Sequence, residues 1–76
     1  MQINPHDIKI GYKKFSYPNR GIKFYMATFH ILGTGSTKMS RRAFRTATRA
    51  HDYGVRVVAR WIRLYDAIHR AEQILA

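Results

Sequence analysis

Residues 37–61 read TKMSRRAFRTATRAHDYGVRVVARW, and the hydrophobic period of the chain changes inside them. Before about residue 45 apolar residues alternate with polar ones, the two-residue repeat of a strand. After it they recur every three or four positions, the repeat of an amphipathic helix. Thr46 stands at the change, with a hydroxyl able to accept from the free amides of a first helical turn. The stretch therefore predicts a short third strand over about 37–44, a cap, and a helix beginning at Ala47.

Two further strands are expected upstream. Over about 8–17, Ile8, Ile10 and Tyr12 fall on one face and Lys9, Lys13, Phe15 and Tyr17 on the other. Pro18-Asn19-Arg20-Gly21 then makes a turn with Arg20 at its tip, since Pro presets φ and Asn and Gly accept positive φ. A second strand follows over about 22–32. Ile22, Phe24, Met26 and Thr28 share one face, and Lys23, Tyr25, Ala27, Phe29 and Ile31 the other. Both faces are partly apolar, so alternation alone leaves open which is buried. Gly33-Thr34-Gly35-Ser36 supplies the second turn.

Downstream, a projection at about 100° per residue gathers Ala50, Tyr53, Val57, Trp61, Leu64, Ile68, Ala71 and Leu75 on one helix face, with Val58 and Tyr65 on its flank. Arg49, Arg56, Arg63 and Arg70 recur on the opposite side. The helix is expected to run over about 47–76, with Trp61, Val57, Leu64 and Tyr53 central to the core. A Trp61→Ala change is then expected to cost about 3–5 kcal/mol. Gly54, inside the pattern, either permits close approach to the sheet or marks a bend. The fold class expected is α+β: a three-stranded antiparallel meander packed against one long C-terminal helix, as a single small domain over residues 1–76. The helix outruns the sheet, so Ile68, Ala71 and Leu75 continue the apolar stripe into an overhang. That end folds back, frays or is covered by a second copy in a homodimer.

Charge bounds the function. Fourteen Lys and Arg face four acids, for a net +10. Residues 1–51 carry ten bases against Asp7 alone, a net +9, and residues 52–76 carry a net +1. Such a field favours a polyanionic partner, most simply nucleic acid. There is no cysteine, which excludes disulfide scaffolds and cysteine-built zinc sites. No apolar run approaches the roughly 20 residues of a membrane span. Met1 to Asp7 lacks the basic start and apolar stretch of a signal peptide. The expectation is a cytoplasmic or nucleoid-associated protein without a membrane partner.

Catalytic chemistry is poorly supplied. Four scattered carboxylates suggest no acid–base pair, and His6-Asp7 and His51-Asp52 lack the further ligands a metal needs. Gly33-Thr34-Gly35-Ser36-Thr37-Lys38 lacks the spacing of a phosphate loop and precedes a strand rather than a helix. No enzyme activity, metal or cofactor is expected. Bases interleaved with aromatics, by contrast, suggest a binding face: Lys13, Lys14, Phe15 and Tyr17 near Lys23, Tyr25 and Phe29, with Arg20 at the turn. Arg41, Arg42, Arg45 and Arg49 form the densest cluster, with no acid before Asp52. Crowded like charges point to an arriving anion.

The stretch Phe44-Arg45-Thr46-Ala47, followed by Ala50 and Tyr53, resembles two related DNA-binding modules. These are the ethylene-response-factor-type domain and the arm-type domain at the amino terminus of tyrosine integrases. Both place three strands before a Thr-capped, alanine-rich helix start. The resemblance implies that an exposed sheet face enters the DNA major groove, and by position it implicates Lys13, Lys23, Tyr25, Lys38 and Arg41. The function expected is non-catalytic binding of nucleic acid, DNA rather than RNA. The alternative is a small phage-type inhibitor or accessory protein docking on a host protein or nucleoprotein complex, for example a nucleic-acid-guided defence complex.

Overall fold

Strands form at Ile8–Tyr17 (β1), Ile22–Ile31 (β2) and Ser36–Phe44 (β3), and a helix at Ala47–Leu75 (α1). This computed structural model describes residues 4–75. Residues 1–3, which open the segment tested above for a signal peptide, and residue 76, the expected end of the helix, lie outside the described residues. The strands pair antiparallel in sequence order with β2 in the centre, and α1 crosses one face, an α+β arrangement. Leu32 belongs to the second turn rather than to β2, because the amides of Thr34 and Gly35 both turn back onto the Ile31 carbonyl. At the first turn, a single 3-10 turn over Pro18–Arg20 ends on Gly21 at φ 62°, where its N–H reaches the Pro18 carbonyl. A side chain there would be strained, which is why glycine closes the turn.

Register settles the face that alternation left open. Ile8 pairs with Ile31 and Ile10 with Phe29, so these four, with Ala27, look toward α1. Ala27, Phe29 and Val58 make the core, ringed by Ile8, Ile10, Tyr53, Val57 and Ile62. The structure corrects the expected core at two positions. Trp61 is 41% and Leu64 57% exposed, while Val58 is buried in their stead. Trp61 sits beside Phe29, ring centroids 5.5 Å apart, at the margin of the core. The cause is the line of contact, which follows Ala50, Gly54 and Val58. A Cβ on Gly54 would lie 2.7 Å from Ile10 Cγ2. Of the two readings of Gly54, close approach is the observed one, and α1 continues unbroken through it.

Two departures from a plain meander shape the surface. Thr28 opposes Met39 and Met26 opposes Ala43, so Ser40, Arg41 and Arg42 together stand against Ala27. This is a bulge, and β3 bends there. Beyond Tyr25, which pairs with Phe44, β3 provides no partner, and residues 15–24 form a projecting two-stranded arm with no buried residue. The arm at one end and the overhang of α1 stretch the molecule to 59 × 21 × 15 Å. The radius of gyration is 15.6 Å, against about 11 Å for a compact chain of this length.

Candidate nucleic-acid interface

The arm inherits its chemistry from strand alternation. Lys13, Phe15 and Tyr17 of β1 share a face with Ile22 and Phe24 of β2, turned away from α1. Phe15 and Phe24 are a directly opposed pair whose rings stack at 5.2 Å and 14°. Tyr17 extends the stack, 6.0 Å from Phe24. The Lys13 ammonium lies 5.4 Å from the Phe15 ring centroid, a cation–π contact. Lys23 of the arm and Lys14 at its base emerge on the other face, with Arg20 at the tip, and all four cations are exposed. The arm is thus basic on both faces and aromatic on one.

The cluster at the strand–helix junction is held by hydrogen bonds. Ser40, itself buried, accepts from the Ala27 N–H at 3.1 Å and donates to the Arg42 carbonyl at 2.8 Å. Its hydroxyl stands in for the ladder bonds that the bulge interrupts, and so fixes the backbone that carries Arg41 and Arg42. Two residues past β3, Thr46 Oγ1 accepts from the Arg49 N–H at 3.2 Å, the capping bond that its position implied. Arg41, Arg42, Arg45 and Arg49 are all exposed. The junction adjoins the base of the arm, because Lys14, Tyr25 and Phe44 lie side by side across the three strands. Phe44 in turn touches Tyr53 of α1, ring centroids 5.1 Å apart.

The expected binding residues therefore divide. Arg20 and Lys23 of the arm, Lys13 and Lys14 at its base and the four junction arginines form one continuous basic end. Tyr25 stands at its base, on the α1 side of the sheet, with its ring edge-to-face against Tyr12 at 5.9 Å. Lys38 leaves the group. It pairs with Phe29, so its side chain belongs to the α1 face, where it lines an apolar groove with Trp61 and Leu64. The implied single face of Lys13, Lys23, Tyr25, Lys38 and Arg41 is corrected on parity alone: Lys13 points one way and Lys23, Tyr25 and Lys38 the other. Two contributors were missed. Ser40 has no charge to advertise it. Phe24 could have been found, since it and Phe15 stand equally far from the turn Pro18–Gly21 and must therefore pair.

A side-chain hydrogen bond between His6 Nε2 and Asp66 Oδ1, 3.0 Å, lies near the other end of the sheet and ties the residues before β1 to α1. Among the described residues no three His, Asp or Glu side chains gather as metal ligands, and no helix is long and apolar enough to cross a membrane. Comparison with protein-family models, curated proteins and solved structures returns no match.

Proposed function

We propose that this protein binds double-stranded DNA without catalysis, laying the β1–β2 arm into the major groove while the junction arginines hold the flanking phosphates. The observation that carries the reading is the continuity of eight exposed cations along one end of an elongated molecule, in a segment, residues 8–51, that contains no acid. A two-stranded ribbon fits a groove about 12 Å wide. Phosphate contacts from Arg20 and Lys23 on the arm and Lys13 and Lys14 at its base set its depth and register, and the Phe15–Phe24–Tyr17 stack provides a rigid apolar surface against base edges and thymine methyl groups. The order of elements is that of the DNA-binding modules which the chain resembles.

The test is a salt titration of binding to a random duplex. If most of the eight cations meet phosphates, log affinity falls against log salt with a slope of about −5 to −7, and replacing Lys13, Arg20 and Lys23 together by alanine lessens it by about 2.7. No binding at low salt to duplex overturns the reading. One feature favours a second one: the arm leaves Tyr17 52% and Ile22 49% exposed, an apolar surface that also suits docking on a protein complex. Capture of a partner that survives complete nuclease digestion would support that alternative.

A further inference from the structure

We propose that two copies of this chain associate through the C-terminal half of α1, antiparallel, with Glu72 of each reaching Lys38 of the other. The starting point is a spacing. Val57, Trp61, Leu64, Ile68, Ala71 and Leu75 follow one another at alternating intervals of four and three, the seam of a coiled coil. Up to Ile62 the helix packs on the sheet. Beyond that the seam leaves it, with Leu64 57%, Ile68 52% and Leu75 86% exposed. Six positions in strict heptad register on one helix ask for a helical partner.

Three observations make that partner a second copy. The first is charge. Self-association of a +10 chain is opposed by repulsion, yet residues 52–76 carry only +1, so the seam lies where the repulsion is weakest. The second is a groove of about 390 Å³ beside the seam, lined by Ile8, Phe29, Ile31, Trp61 and Leu64, with Lys38 as its one cation. Lys38 has no ion-pair partner among the described residues, and neither has Glu72. The third is register. On the sheet side of the seam the flanking positions are Tyr65 and Glu72. In an antiparallel pair these like flanks meet, and the partner's Glu72 comes level with Trp61 and Leu64, beside Lys38. In a parallel pair Glu72 would face Ala67, at the end remote from the sheet. Antiparallel pairing overlaps the helices over Trp61 to Leu75, about 22 Å, and satisfies both Lys38–Glu72 pairs at once, as an isologous interface requires.

Sedimentation equilibrium on the full chain, without nucleic acid, tests this apart from the DNA-binding reading. Because protomer concentration sets the dimer fraction, the chain is run up to about 100 µM. The expected species is a dimer. Leu64→Glu makes it monomeric, and because Leu64 is exposed its melting curve should remain cooperative. Lys38→Glu and Glu72→Lys each weaken the dimer about tenfold, since two symmetric pairs turn from attraction to repulsion. The double variant Lys38→Glu/Glu72→Lys restores it, and an equimolar mixture of the two single variants associates as well as the parent. A monomeric parent, a dimer indifferent to Leu64→Glu, or a double variant as weak as the singles would overturn the proposal.

Discussion

Replacing Gly54 by alanine sets two effects of opposite sign against each other. In a solvated helix interior the change stabilises by about 0.8–1.0 kcal/mol, because alanine loses less backbone entropy than glycine. At Gly54 the new Cβ would stand 2.7 Å from Ile10 Cγ2 and 3.6 Å from both Ala27 Cβ and Phe29 Cε1. The first contact cannot be relieved by a swing of a flexible tip. Cγ2 is attached at the β-carbon of a residue on a paired strand, and β-branched side chains are stiff at χ1. Either α1 lifts from the sheet or β1 shifts, and overpacking of this kind costs about 1–3 kcal/mol. The net expectation is a loss of about 1 kcal/mol, which lowers the melting temperature of so small a domain by about 4–8 °C. Ala59, exposed on the same helix, calibrates the propensity effect, since Ala59→Gly should cost about 1 kcal/mol with no packing change. Ile10→Leu moves the branch from Cβ to Cγ and removes the offending methyl, so Gly54→Ala should cost less in that background than in the parent. Thermal unfolding followed by far-ultraviolet circular dichroism reads all four variants. If Gly54→Ala melts above the parent, propensity has won and the close approach of helix to sheet is refuted.

Two further substitutions have defined outcomes. Ser40→Ala leaves the amide of fully buried Ala27 without its acceptor, and should cost about 1–3 kcal/mol; if Ser40 fixes the arginine bulge, duplex affinity measured well below the melting temperature also falls, whereas unchanged affinity would detach the bulge from the interface. Trp61→Ala should cost about 1–3 kcal/mol by denaturant titration, less than a buried tryptophan would lose, because Trp61 is 41% exposed.

The strands were legible almost to the residue because each turn carries its own chemistry. Pro18 and Gly21 bound a four-residue connection, and once it is placed every β1–β2 pair follows from counting outward. What counting cannot tell is which face is covered, since β2 is apolar on both: Phe24 and Met26 on one side, Ala27, Phe29 and Ile31 on the other. Only the seat of α1 decides. Lys38 was put on the wrong face for the same reason: it is exposed, but on the helix side of the sheet at the margin of a groove. The bulge at Ser40–Arg42 leaves no periodic trace at all. An extra pair of residues inside a nine-residue strand looks like a slightly longer strand, and its cause is a serine hydroxyl bonded to the backbone of two strands.

The helix was misjudged in phase, and the error has a geometric origin. From Ala50 the buried line runs to Gly54 and Val58 and on to half-buried Ile62, steps of four that each advance about 40° around the helix. The apolar seam also starts at Ala50 and Gly54, but it then steps to Val57, Trp61 and Leu64, and alternating threes and fours drift backward by about 20° per heptad. The two lines share their first members and part at Val57 and Val58, so an averaged projection assigns to the core residues that the sheet cannot reach. A helix serving the sheet alone would keep its large apolar groups on the line of Val58 and Ile62 and place polar residues at 64, 68 and 75. This one does the reverse: Asp66 continues the sheet-side line, while Leu64, Ile68 and Leu75 stay on the seam in solvent. Val55 and Ile74 are exposed off the seam, but Trp61, Leu64, Ile68 and Leu75 fall on one continuous line that begins in the core and leaves it. The same seven-residue repeat that misled the reading of the core is therefore the reason to look for a second helix beyond it.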